Sequence, residues 1–290
     1  MASEPVQQLV TTACLTVFFP LLRWVLNGYA FEPLAYQLLQ PVWQQSDSKV
    51  TPERMHTAVQ KFSESLWKLL VYSTFLAIGV VCAWRAPWVL DTWQFWQGWP
   101  HHEFTLPMRL LYNLELGFYM LPMRLLYNLE LGFYVSSIFM IQCWEVRRKD
   151  HWPMFCHHIA TATLIATSLR FSFWRIGTVV MLLHDANDVL MEAAKLAKYC
   201  KKEDLSLGLF ASFVVAWLGL RLLAFPVMVI RSTLYEMPSI LGGKTNSYYM
   251  FNGLLLMLLV LHCYWFTLIL RVVWVTLTTG QTQDVREDDD

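Results

Sequence analysis

The sequence predicts an all-α integral membrane protein with about seven transmembrane helices. Of its 290 residues, 56% are apolar and only 15% are charged, whereas soluble domains carry roughly 25% charged residues. Apolar runs recur along the chain at close to the length of about 20 residues that a bilayer core demands of a helix. The formal net charge is zero, which argues against nucleic acid as a partner.

Taken in order, the predicted spans are 9–26, 66–84, 121–143, 153–170, 174–194, 207–230 and 250–275. The opening residues "MASEPVQQLV" lack the basic start of a cleaved signal peptide. Loops one, three and five hold Lys49, Arg54 and Lys61, then Arg147, Arg148 and Lys149, then Lys198, Lys201 and Lys202. On the opposite side, Arg85, Arg231 and Lys244 are more thinly spread. Positive-inside asymmetry therefore predicts a lumenal N-terminus and a cytosolic C-terminus. The acidic end, 277–290 with "DVREDDD", reads as a solvated, disordered tail.

Two stretches stand apart. "LPMRLLYNLELGFY" occurs at 106–119 and again, letter for letter, at 121–134. Fifteen extra helical residues add about 22 Å, so a single span through both copies would overshoot the membrane. The expectation is a break at Pro122, with the second copy forming the span and the first lying on the lumenal side. The segment 84–99, "WRAPWVLDTWQFWQGW", reads as a lumenal interface belt of tryptophans.

The stretch "LLHDANDVLMEAAK", 182–195, sets ionisable groups inside an apolar run. At 100° per residue, with His184 at zero, Lys195 falls at ~20°, Asp188 at ~40°, Glu192 at ~80° and Asp185 at ~100°. Each acid held mid-bilayer costs about 2.5–3.5 kcal/mol on insertion scales. Such a face persists only where it lines a polar cavity or meets partners. The nearest partners are His157 and His158 in "FCHHIATATLIATS". A short turn near Phe171 to Phe173 makes the fourth and fifth spans antiparallel neighbours and returns the acids to the depth of the histidines. Asp188 is then expected to orient an imidazole. One membrane histidine or acid alone is more often a structural hydrogen bonder. The joint occurrence of a histidine pair and an acidic face reverses that preference. Lys195 reads as structural, snorkelling or paired with Glu192.

Other chemistries fit less well. The eight histidines form no HxxxH or HxxHH spacing, which disfavours a di-iron site, and no metal is expected. The six cysteines are scattered without a CxxC pair and read as free thiols. Inverted repeats and broken midplane helices, which would point to a transporter, are not evident.

"EVRRKDHW", "HHIATATLIATS" and "RIGTVVMLLHDANDVLMEAAKLAKY" together resemble the Lag motif of the TLC-domain ceramide synthases, the longevity-assurance family. The paired histidines, HDxxD and following ExxK stand at the family's separations from His157 to Tyr199. A looser likeness runs from "FSESLWKLLVYS" through the sixth span. "FFPLLRWVLNGYAFEPLA" looks like the start of plant and algal members, and no homeobox-like insertion is present. "SLRFSFWR" departs from the family by placing Leu169 after the serine that ends the fourth span.

The resemblance implies an N-terminal segment 1–60, a TLC domain 61–276 in which six helices bundle around a polar and lipid cavity, and the tail 277–290. It implies transfer of a fatty acyl group from acyl-CoA, as co-substrate, to the amine of a sphingoid long-chain base, with no bound cofactor. His157 would act as nucleophile or base, assisted by His158, with Asp185 and Asp188 completing the catalytic set. His184 and Glu192 would bind substrate, and Arg147, Arg148 and Lys149 would meet the charged CoA. Residence in the endoplasmic reticulum membrane follows from the family alone. A homo- or hetero-dimer, the preferred base and the acyl length stay open, although the loop 231–249 bears on length in the family. Two alternatives remain: a non-catalytic TLC-domain protein that binds or senses lipid or aids membrane insertion, and a proton-coupled transporter.

Overall fold

The computed structural model describes residues 4–46, 51–84, 86–99, 106–240 and 242–279. Among them every regular element is helical. α1 (Glu4–Leu26) runs through a π-helical turn at Asn27–Phe31 into α2 (Glu32–Ser46), so the first predicted span is only the opening part of a longer rod. α3 (Pro52–Ala83) starts where Thr51 Oγ1 accepts the Arg54 N–H at 3.3 Å and Pro52 supplies a preset φ. Then come α4 (Leu106–Cys143), α5 (His151–Phe171), α6 (Trp174–Tyr199) and α7 (Glu203–Ala216). From α7 the chain continues as π-helix over Trp217–Ile230 and Ser232–Glu236 to α8 (Met237–Ile240), and α9 (Asn246–Thr279) closes the bundle. Six of the seven predicted spans fall within these rods, and 66–84 overruns α3 by one residue, Trp84. Four rods are long and apolar enough to cross a membrane by length and composition: Val6–Trp43, Pro52–Ala83, Glu203–Ile240 and Asn246–Thr279. The others, α4, α5 and α6, carry buried ionisable side chains that lower their hydropathy. The chain is thus an all-α membrane protein. Its acidic end past Thr279 lies outside the described residues.

The duplication does not behave as expected. α4 is continuous through Pro122 and takes both copies into one helix of 38 residues, about 57 Å long. Loss of one N–H at Pro122 does not end a helix whose neighbouring turns remain bonded.

The tryptophan segment also differs from an interface belt. Trp88, Phe95 and Trp96 are buried, Trp96 Nε1 donates to Ser232 Oγ at 2.8 Å, and Trp99 Nε1 donates to the Phe171 carbonyl at 2.7 Å. Trp84 and Trp93 alone among its tryptophans are exposed. The segment folds inward as a cap because indole N–H groups find acceptors on α5 and on the π-helical rod.

α5 ends at Ser172 in the left-handed conformation, φ 59°, where the Phe173 N–H returns to the Ser168 carbonyl at 3.0 Å. The expected turn is therefore present, but its two helices splay. α6 packs chiefly on α3 and α7, and α5 on α4. The space between them holds the site. Phe19, Phe75 and Tyr72 meet Phe133 edge-on at ring separations of 5.6–5.7 Å and fix α1, α3 and α4 together. α1 comes close to α4 at Gly132, where an added Cβ would lie 2.5 Å from Leu15 Cβ.

Candidate active site

His157 and His158 sit on the second turn of α5, both buried, and line a cavity of about 190 Å³. Asp188, Glu192 and Lys195 from α6 line the same cavity. The His157 ring stacks on His184 at 6.4 Å between centroids with 18° between planes. It also meets Trp265 of α9 edge-on at 5.4 Å. Tyr134 of α4 packs edge-on against His158 at 5.6 Å. Nδ1 of both His157 and His158 is buried without a hydrogen-bond partner. Two imidazoles on one turn thus face a shared polar space with hydrogen-bonding capacity unspent.

Asp188 does not orient His157 as expected. Its carboxylate is taken by Arg221, whose Nη2 donates to Oδ1 at 2.7 Å. The same nitrogen donates to the His184 carbonyl at 3.1 Å, and Nη1 lies 3.4 Å from His262 Nε2. Arg221 belongs to the π-helical stretch and stacks over Trp217 at 4.7 Å. A guanidinium outcompetes a neutral imidazole for a carboxylate because its charged fork gains more from the bond.

His184 Nδ1 lies 2.7 Å from the Val180 carbonyl, so it donates there. In a neutral ring that leaves Nε2 as acceptor, and the His262 Nε2 found at 3.1 Å is its donor. His184 lines a second, mostly apolar cavity of about 50 Å³ toward the 172 end of the bundle. Tyr134 lines both cavities. Glu130, one turn earlier on α4, lines the second cavity and lies beside Asp185.

The five ionisable groups of residues 182–195 therefore divide. Asp188, Glu192 and Lys195 face the larger cavity, His184 faces the smaller, and Asp185 meets Glu130. Lys195 Nζ binds Glu192 Oε1 at 2.8 Å, the pairing expected from the i, i+3 spacing.

At the 144–150 end, a buried ion cluster borders the larger cavity. Lys68 Nζ bridges Glu64 Oε1 at 3.0 Å and Glu145 Oε2 at 2.8 Å. Arg148 Nη1 binds Glu64 Oε1 at 2.8 Å, and Arg23 of α1 binds Glu145 Oε1 at 3.2 Å. Burial alone would raise the Glu145 carboxyl, yet Lys68 and Arg23 hold it below the usual carboxylate range. Burial would likewise lower Arg148, but Glu64 and its other acidic neighbours push it well above the ordinary guanidinium value. Of the three basic residues expected to meet CoA, Arg148 lines the cavity and is joined to Glu64. Arg147 and Lys149 are exposed and stand away from the cavity lining. Lys68, Lys195, Lys198 and Arg221 are the other lysines and arginines of the lining.

Arg221, His262, Glu130, Tyr134 and Trp265 were not singled out from sequence as site residues. Each of the three ionisable ones stands alone in an apolar run, which is itself the signal that could have found them.

A family model described as the TLC domain matches residues 61–271. Similar curated proteins include ASC1-like protein 3 of Oryza sativa subsp. japonica, 37% identical over 96% of this chain and 93% of its own length. Ceramide synthase LOH2 of Arabidopsis thaliana is 38% identical over 94% of this chain and 89% of its own length. Ceramide synthase 5 of Homo sapiens is 34% identical over 79% of this chain and 54% of its own.

Proposed function

The chain belongs to the TLC-domain family, and from that premise we propose that it is a sphingosine N-acyltransferase, a ceramide synthase. It would join a fatty acyl group from acyl-CoA to the amine of a sphingoid long-chain base. The observation that carries this reading is the meeting of His157, His158 and Asp188 on one cavity, with Tyr134 standing between it and a second, mostly apolar cavity.

A thioester is already an activated acyl donor, so the reaction calls for neither ATP nor a metal. The amine arrives as an ammonium and must lose a proton before it attacks. An imidazole at such a cavity can take a proton from the attacking amine or accept the acyl group and pass it on. We assign His157 one of these two roles, with His158 beside it. Asp188 serves through Arg221, which fixes the backbone at His184, and His184 and Asp185 face the incoming base. The apolar walls of the smaller cavity suit the hydrocarbon next to the base's amine. Lys68, Lys195 and Lys198, with Arg148, suit the phosphates of CoA at the 144–150 end. In this reading that end faces the cytosol, the N-terminus lies in the lumen and the protein resides in the endoplasmic reticulum membrane.

The test is purified protein incubated with acyl-CoA and sphinganine, with expression in cells lacking their own synthase as its companion. Ceramide formation in both is the expected result. Lipid binding without ceramide in either would favour the non-catalytic TLC-domain alternative.

A further inference from the structure

Glu130 is the group the proposed chemistry has not yet used. It is 1% exposed, and its Oε1 has no hydrogen-bond partner. It lines the smaller cavity beside His184, on the helix face it shares with Tyr127 and Tyr134. Thr161 Oγ1 on the same cavity and Asp185 Oδ1 behind it are also unpartnered. Two neighbouring buried carboxyls resist ionising together, so we take the Glu130 and Asp185 carboxyls to share one proton, because two ionised carboxyls could only accept. The pair holding that one proton carries a single negative charge, next to unspent acceptors, in a space walled by Phe173, Phe251 and Leu255. Leaving such groups unpaired is costly, and a cationic donor from outside the protein would satisfy them.

We propose that Glu130, paired with Asp185, binds the ammonium of the long-chain base and takes up the proton released before the amine attacks. This rests on the N-acyltransferase reading and names the residue that selects an amine as acyl acceptor. The balance is complete. One proton passes from the ammonium to the carboxyl pair, leaving a neutral amine and two protonated carboxyls. The amine nitrogen then forms the C–N bond to the acyl carbon. The bond from that carbon to its leaving group, CoA sulfur or His157 nitrogen, breaks with its electron pair. The leaving group takes the amine's second proton, directly when it is the His157 nitrogen and through the His157 imidazole when it is CoA sulfur, and the carboxyl pair returns the first to water. The geometry accommodates this sequence because the His184 ring, which lines the Glu130 cavity, lies nearly parallel to the His157 ring at 6.4 Å between centroids.

The experiment is steady-state kinetics of Glu130→Gln, which keeps shape and hydrogen bonding but removes the charge. Beyond Asp185, the titratable groups near Glu130 are Asp188, Tyr127, Tyr134 and His184. All are retained in the variant. The expected result is a sphinganine KM raised by about tenfold or more, the loss of one charged hydrogen bond, with the acyl-CoA KM unchanged. The defect should shrink as pH rises toward the amine's own pKa, where the base arrives neutral. If Glu130→Gln is not recovered as a monodisperse protein, Glu130→Asp is measured instead; its carboxyl is drawn back from the cavity, and the sphinganine KM should again rise alone. An unchanged sphinganine KM in the recovered variant, or equal losses toward both substrates, overturns the proposal. Wild-type protein assayed alongside separates the two readings: absence of ceramide there counts against the acyltransferase function itself.

Discussion

Arg221 clamps Asp188 at 2.7 Å while the same nitrogen holds the His184 backbone carbonyl at 3.1 Å. One guanidinium from the π-helical rod thereby fixes both ends of the HDxxD turn. Breaking a buried pair by removing one partner costs about 3–5 kcal/mol, because the remaining charge is left uncompensated. Arg221→Met should lower the thermal midpoint of the detergent-solubilised protein sharply and abolish turnover. Arg221→Lys should fall between, since an ammonium cannot reproduce the fork. Asp188→Asn should destabilise less than Arg221→Met. An Arg221→Met protein with an unchanged midpoint would contradict the clamp.

Gly177 faces the Tyr127 hydroxyl, which lies 3.1 Å from the carbonyls of both Phe173 and Trp174. A Cβ at position 177 would enter the space of that oxygen. Gly177→Ala should destabilise by about 1–3 kcal/mol, and Tyr127→Phe in the same chain should restore part of the loss by removing the colliding atom. Thermal unfolding of the two single variants and the double variant checks this; strictly additive losses would argue against contact.

Glu145 gives the fold an acid limit. Its folded pKa lies below the usual value because Lys68 and Arg23 outweigh the effect of burial. Its contribution to stability is therefore complete above the ordinary carboxylate pKa of about 4.3 and is lost as pH falls through the lowered folded value. Arg148, pushed upward, stays charged throughout. Unfolding midpoints should fall below pH ~4.3 in the wild type and less steeply in Glu145→Gln. Parallel pH curves for the two proteins would remove Glu145 from the account.

The duplicated sequence yields an exact deletion. Removing residues 106–120 leaves "LPMRLLYNLELGFY" intact and in register with everything that follows, including Glu130 and Tyr134. The shortened α4 keeps every residue from Leu121 to Cys143, so the deletion protein should fold and turn over like the parent. Loss of monodisperse protein would show that the added turns bear structure of their own.

Much of this site was legible before any coordinates. The predicted spans 153–170 and 174–194 fall inside α5 and α6, and the histidine pair and HDxxD do converge. Helical periodicity and the penalty for burying acids suffice for that. What sequence reasoning missed were partners contributed one at a time by distant helices. Arg221, His262 and Glu130 each interrupt an apolar span, and the penalty applied to Asp185 and Asp188 applies equally to them. Their clustering was hidden because packing order is a tertiary property: α6 lies chiefly against α3 and α7, not its neighbour in sequence. The expected Asp188–imidazole bond failed for the same reason, since its stronger partner was 33 residues away. Pro122 misled in the opposite direction, because a single missing N–H was given more weight than the bonded turns around it.

The most direct measurement is ceramide formation by purified His157→Ala with acyl-CoA and sphinganine, beside the parent protein. If the His157 imidazole moves the proton or carries the acyl group, turnover falls by about 10²-fold or more while the protein remains folded. Near-parental turnover by the variant would contradict the assignment of chemistry to this cavity.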